Sequence, residues 1–242
     1  MNILSTKSFY ISIKPDKFYW LILLLLITGF SVSAQHFYRL SADFTIKKKN
    51  FDSTFQLVKG TIYYDDVVGK LTFRHTFPEK ETYIMIDTNT YHFADGKYLG
   101  RSFSMMQPRT SFIALLLKGG ASNYGFETSN YVLDKVEEEN GLTMATWLPP
   151  PTARNVLGKV VVANKDDLLF GVVYHNVEGE ILSKQFFEDY THIDGVDFPT
   201  RVTQIFYKDG KESFQVTTYK NIKVDEKGND ALYDFPLESY LR

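Results

Sequence analysis

The stretch Thr110 to Gly120, TSFIALLLKGG, decides how the rest of the chain is read. It holds an unbroken apolar run from Phe112 to Leu117, with Thr-Ser before it and Lys-Gly-Gly after it. Thr110 or Ser111 can cap a helix N-terminus, Lys118 suits a C-terminal end, and Gly119 or Gly120 supplies a left-handed stop. The spacing predicts a short helix, about 9 Å long at 1.5 Å per residue. Such a helix is apolar on every side, so it cannot rest with one face in water. It is either a plug inside a core or the wall of an apolar cavity.

Around it the sequence alternates with a period of two. Leu40, Ala42, Phe44 and Ile46 share one face of a first strand, with Ser41, Asp43 and Thr45 on the other. A second strand covers about Phe55 to Tyr64. A third places Leu71, Phe73, His75 and Phe77 on one side before Pro78, and a fourth runs from Tyr83 to Ile86. Hairpin signals then follow in series. Asp95-Gly96, Asn140-Gly141, Glu178-Gly179 and Asp209-Gly210 each sit between strand-like runs, where glycine accepts the positive φ that a tight turn needs. Lys165-Asp166-Asp167 turns the run Gly158 to Ala163 back on itself. About a dozen strands at even spacing, mostly joined to their sequence neighbours, predict an antiparallel meander. Pro149-Pro150-Pro151 interrupts a texture that is the same on both sides, and reads as a stiff loop rather than a boundary.

Residues 1–34 read as an export signal. Lys7, Lys14 and Lys17 form a basic n-region, Trp20 to Ile27 an apolar core, and Ser31-Val32-Ser33-Ala34 a small-residue cleavage site. The apolar core is well short of the roughly 20 residues that span a bilayer. Cleavage after Ala34 is therefore expected, leaving residues 35–242 as one domain in an exported, soluble protein. Removing three lysines and Asp16 makes the remainder more acidic than the −2 of the whole chain. Basic residues are scattered apart from Lys47-Lys48-Lys49, so no nucleic-acid surface is expected. There is no cysteine, so packing alone must hold the fold and no lipid-modified cysteine can anchor it. Twenty Phe and sixteen Tyr suit half-buried pleated surfaces.

Motifs for covalent chemistry are weak. His36, His75, His92, His175 and His192 are dispersed without metal-ligand spacing, and no metal or cofactor is expected. His75 shares a face with Phe73 and Phe77 and reads as an interior histidine. Asp65-Asp66, Glu137-Glu138-Glu139 and Asp166-Asp167 fall at strand ends or turns and read as solvated charges. No Gly-x-Ser-x-Gly elbow, phosphate loop or dinucleotide fingerprint occurs, so an enzyme is not expected.

Taken in order, "SADFTI", "LVKGTIYYD", "TFPEKETYIMIDTNTYHF", "RTSFIALLL", "LLFGVVYHNVEGEILSKQFFEDY", "VDFPTRVTQIF" and "YKNIKVDEKGNDALYDFPL" resemble the LolA/LolB superfamily of periplasmic lipoprotein carriers, which includes the RseB-type sensor domain. The resemblance spans most of residues 35–242. It implies a mainly β fold: a strongly curved, incomplete antiparallel β-barrel of about 11–12 strands, closed by a short apolar helix and loops over a hydrophobic cavity. Family members carry an arginine after the second strand that holds the lid closed. The corresponding positions here are Tyr64-Asp65-Asp66, so no arginine carries over, and Arg109 just before the helix is the candidate replacement.

The implied function is non-catalytic binding and carriage of lipoprotein acyl chains or another hydrophobic ligand in the periplasm, with inner- or outer-membrane envelope proteins as exchange partners. The expected cavity residues are Phe44, Ile62, Phe73, Phe112, Leu115 and Leu116. Gly119, Gly120 and Gly125 are hinge candidates that also serve as ordinary caps and turns. The alternatives are an RseB-like envelope sensor or interaction module on the same fold, and a structural envelope protein with a fully packed interior.

Overall fold

In the computed structural model, residues 37–104 and 107–237 are described. The expected signal segment and its cleavage site lie outside them, as does His36. Thirteen strands form one antiparallel sheet, slightly more than the 11–12 expected: β1 (Arg39–Lys49), β2 (Phe55–Asp65), β3 (Lys70–Phe77), β4 (Glu81–Ile86), β5 (Asn89–Ala94), β6 (Lys97–Phe103), β7 (Val132–Glu139), β8 (Leu142–Leu148), β9 (Val160–Lys165), β10 (Leu168–His175), β11 (Ile181–Ile193), β12 (Val196–Lys208) and β13 (Lys211–Val224). Their spatial order is β6-β5-β4-β3-β2-β1-β13-β12-β11-β10-β9-β8-β7. Every strand pairs with its sequence neighbours, except that β1 pairs with β13 across the middle and β6 and β7 are left as the two edges. The sheet is a curved, unclosed barrel.

The turn chemistry is that of left-handed pairs. Asp95-Gly96, Asn140-Gly141 and Asp209-Gly210 have both central φ values positive, as type I′ hairpins require, and Asp166-Asp167 adopts the same form without glycine. A further pair of this kind, Asp194-Gly195, joins β11 to β12. β11 runs on to Ile193 and β12 begins at Val196, either side of this turn. Pro199 interrupts the pattern but is tolerated because it pairs only with Tyr190, and the β12–β13 ladder starts at Arg201. Pro149 to Pro151 lead into a single 3-10 turn, Pro151–Ala153, and the sheet continues unbroken on both sides.

Because the edges β6 and β7 are at opposite ends of the sheet, the segment joining them must cross its inner face. That segment contains a 3-10 turn (Pro108–Thr110), helix α1 (Phe112–Leu117) and a second 3-10 turn (Phe126–Thr128). It covers two core clusters. The first gathers Leu40, Ala42, Phe44, Ile62, Tyr64, Leu71 and Phe198 with Ile113, Ala114, Leu116 and Leu117. The second gathers Trp147, Val160, Val162, Leu169, Val172, Phe187 and Val202 with Phe126. Phe112 packs against both.

On the outer face a short helix α2 (Asp230–Tyr233) and the tail after it lie over β2 to β5. Phe235 and Leu237 cover Ile84 and Phe93, and the Lys70 ammonium bonds the Asp234 carboxylate and the Phe235 carbonyl. Among the described residues no helix is long and apolar enough to cross a membrane.

Candidate functional site: an apolar helix latched across the sheet

The inner face is built from cross-strand rows. Ala42, Ile62, Phe73, Tyr83 and His92 face one another in succession from β1 to β5, and Leu40, Tyr64, Leu71 and Met85 form the next row. Phe44 stands opposite Gly60, whose lack of a side chain is required. A Cβ there would come within 2.1 Å of the Arg74 carbonyl oxygen and 2.9 Å of the Phe44 ring. The Phe44 ring then meets Phe73 and His75 edge-on, at centroid distances of 6.0 and 5.7 Å.

Helix α1 lies on this surface against β1 and β12. Its start is fixed by Ser111, whose Oγ donates to the Pro108 carbonyl at 2.7 Å and accepts from the Ala114 amide at 3.3 Å. Its end is a Schellman stop. The Gly119 amide donates to Leu116 O at 3.2 Å and the Gly120 amide to Leu115 O at 2.9 Å, with Gly119 at φ +69°. Gly119 and Gly120 thus act as a cap. Ile113, Ala114, Leu116 and Leu117 are buried, while Phe112 and Leu115 are half-buried.

Of the six residues expected to line a cavity, Phe44, Ile62 and Leu116 sit together in the first core cluster, with Phe73 and Phe112 packed against it. Leu115 points elsewhere, into a cleft of about 460 Å³ beside the helix that it shares with Arg109, Lys118 and Tyr124. Tyr124 links this cleft to the second cluster, with its ring 6.2 Å from Phe112 and 5.9 Å from Phe187.

The polar ends of the segment converge on one carboxylate. Asp66, in the turn after β2, places Oδ1 2.9 Å from Lys118 Nζ and 3.5 Å from Arg109 Nη1, and the same oxygen accepts from the Tyr64 hydroxyl at 2.6 Å. Arg109 also donates to the Val67 carbonyl at 3.3 Å. Its guanidinium lies over Gly69, where a Cβ would approach within 3.0 Å.

The turn carrying Asp66 is itself held by the deeply buried Asp65. One Asp65 oxygen accepts from the Val67 and Val68 amides, and the other pairs with Arg39 at 2.5 Å. Partial burial pushes the Asp66 carboxyl up. The Tyr64 and Lys118 hydrogen bonds and the Lys118 and Arg109 charges outweigh this and hold it below the usual carboxylate range.

Asp65 and Asp66 are therefore not solvated turn charges, whereas Glu137 to Glu139 and Asp166-Asp167 are exposed as expected. The signal that could have found this latch is the pair of cations, Arg109 and Lys118, bracketing a helix with no polar side chain of its own.

His75 is partly buried against Phe44 and Tyr83, with Nδ1 3.9 Å from Glu81 Oε2. Glu81 also accepts from the Tyr83 hydroxyl at 2.9 Å and meets His92 Nε2 at 3.1 Å. Among the described residues no three His, Asp or Glu side chains gather as metal ligands.

No family model and no curated protein matches the sequence. Solved structures do match. A LolA superfamily protein from Nitrosomonas europaea aligns at 15% identity and TM-score 0.54, over 80% of this chain and 89% of that one. A DUF1329 family protein from Desulfovibrio piger aligns at 14% identity and TM-score 0.58, over 91% and 97%. A protein domain from Vibrio parahaemolyticus named for outer-membrane lipoprotein sorting aligns at 13% identity and TM-score 0.58, over 85% and 92%. At these identities the likeness is one of architecture, and the fold of this chain is LolA-like.

Proposed function

We propose that the protein is an exported, periplasmic binding protein, released from its signal segment after Ala34, that carries an acyl chain or another hydrophobic ligand without covalent chemistry. The observation that carries this reading is α1: a helix apolar on every side, lying on the inner face of an open sheet against β1 and β12 and tied down at its two ends by polar contacts.

Magnitudes support an exchange. Burying Ile113, Leu116 and Leu117 is worth about 5–9 kcal/mol at about 1.5–3 kcal/mol each, and a dozen methylenes are worth about 10 kcal/mol. The Asp66 contacts involve partly exposed cations and add only about 1–2 kcal/mol. An acyl chain of ordinary length therefore replaces the helix on the Phe44–Ile62–Phe73 surface at comparable free energy. The sheet keeps its hydrogen bonds throughout.

The fold relative named for lipoprotein sorting supports the same class of ligand; lipoproteins would be the cargo and envelope membrane proteins the donors or acceptors. Native mass spectrometry of the protein isolated from its own envelope fraction tests this reading. Bound lipid or acylated protein is expected, and a bare chain recovered under lipid-preserving conditions counts against it.

A second reading rests on the burial of Ile113, Ala114, Leu116 and Leu117 in the core. Here the helix is a permanent core element, and the protein works through its surface as a sensor or interaction module. Co-isolation of an envelope protein with no lipid would favour it.

A further inference from the structure

The cleft beside α1 has a polarity that a purely apolar carrier does not need. Its volume of about 460 Å³ falls in the range of small-ligand sites. Its apolar wall is Leu115 and Tyr124, and its charged rim holds Arg109 and Lys118. The acid at the same rim, Glu127, is engaged at 2.6 Å by the Asn123 side-chain amide. Both rim cations are only partly covered, and both reach the same carboxylate oxygen, Asp66 Oδ1. Tyr124 connects the cleft to Phe112 and Phe187, and so to the two clusters beneath the crossing segment.

On the carrier reading above, we infer that this cleft is the entry site for an anionic amphiphile, whose carboxylate or phosphate headgroup takes Arg109 and Lys118 from Asp66 while its chain follows Leu115 and Tyr124 under α1. The exchange is anion for anion. The two cations keep a negative partner throughout, and Asp66 keeps the Tyr64 hydroxyl, so no charge is left bare as the helix comes free. The same two side chains close the site when it is empty and hold the headgroup when it is full. A cationic amphiphile cannot take the place of Asp66 on Arg109 and Lys118, and a neutral one gains only the apolar contacts.

The test is calorimetric binding to the wild-type protein of laurate and dodecyl phosphate (anionic), monolaurin (neutral) and dodecyltrimethylammonium (cationic), each below its aggregation threshold. The anionic compounds are expected to bind about tenfold tighter than monolaurin, and the cationic one weakest, the size expected of charge-assisted pairing at a partly exposed site. The ratio of laurate to dodecyl phosphate tells which headgroup is preferred. In Arg109→Gln/Lys118→Gln laurate should bind no tighter than monolaurin, while monolaurin itself binds tighter than to the wild type because the contacts that tie α1 to Asp66 are gone. In Asp66→Asn, anionic affinity should rise several-fold, because the competing carboxylate is gone.

Equal binding of laurate and monolaurin by the wild type would overturn the headgroup inference and leave the carrier reading standing. Binding of none of the four would overturn both. Weaker anionic binding by a folded Asp66→Asn would overturn the exchange.

Discussion

Lys118 Nζ lies 2.9 Å from Asp66 Oδ1, joining the C-terminal end of α1 to the turn between β2 and β3. With Arg109 on the same oxygen, a single carboxylate spans both ends of the helix. Because Lys118 is also the C-cap residue, rupture of this contact and fraying of the Schellman stop are coupled. Trypsin cleavage after Lys118 therefore reports opening of the segment. Asp66→Asn should raise its rate about tenfold, the equivalent of about 1.4 kcal/mol. An unchanged rate would mean that packing alone sets the opening.

The same latch fixes a pH dependence. The folded pKa of Asp66 lies below the unfolded value of about 3.9, so its contribution is complete above that value and is lost only as pH falls through the folded pKa. The ratio of Asp66→Asn to wild-type cleavage rates after Lys118 should therefore stay constant from neutral pH down to about pH 4. Loss of the latch at mildly acidic pH would require a different group.

His75 acts in the range that Asp66 does not. Burial against Phe44 and Tyr83 lowers its pKa, more than the facing Glu81 raises it, with His92 adding to the lowering. A depressed folded pKa means a contribution present above the unfolded value of about 6.5 and lost as pH falls through the folded pKa. The thermal midpoint should therefore drop between about pH 7 and about pH 5, and His75→Phe should flatten that drop. Parallel wild-type and variant curves would exclude His75 as the source.

Asp65 is the buried anchor of the turn. Asp65→Ala leaves two amides without an acceptor and Arg39 with only the more exposed Asp230. Urea denaturation should show a loss of about 3 kcal/mol, as expected when one partner of a buried pair is removed. A loss below about 1 kcal/mol, the worth of a surface pair, would contradict this burial.

Leu116 tests the helix as the ligand's competitor for the inner face. Leu116→Asp places a charge in the first core cluster, where its cost shows directly as helix opening. If the variant folds, the helix competes less well for the Phe44–Ile62–Phe73 surface, and retention of co-isolated lipid should rise. Retention equal to wild type would separate α1 from ligand binding.

Much of the architecture is written locally. The alternation Leu40, Ala42, Phe44 is the inner face of β1, and the Asp-Gly and Asn-Gly pairs are the hairpins, because both are properties of a few adjacent residues. The helix at Phe112 to Leu117 is equally local, carrying its own cap and stop. The β1–β13 closure could not be read this way, since it joins strands at opposite ends of the chain.

Asp194-Gly195 is a local signal of the same kind, but Pro199 breaks the alternation of the strand behind it. Leu115 shows a finer limit: apolar sequence places it in the helix, but only the fold decides that it faces a cleft while Leu116 faces the sheet. The latch was the least legible feature. Asp66 sits in a turn where acids are ordinarily solvated, and its partners are brought to it only by the crossing of the sheet.

The account stands on α1 being displaced when a hydrophobic ligand takes its place. Hydrogen exchange with and without saturating monolaurin measures this at the Leu115, Lys118 and Gly120 amides, which bond Ser111, Ala114 and Leu115 carbonyls within the segment. These three amides should lose protection when the ligand is bound, while the β1 and β2 amides keep theirs. Full protection of α1 at saturation, or no saturable binding at all, would contradict the account.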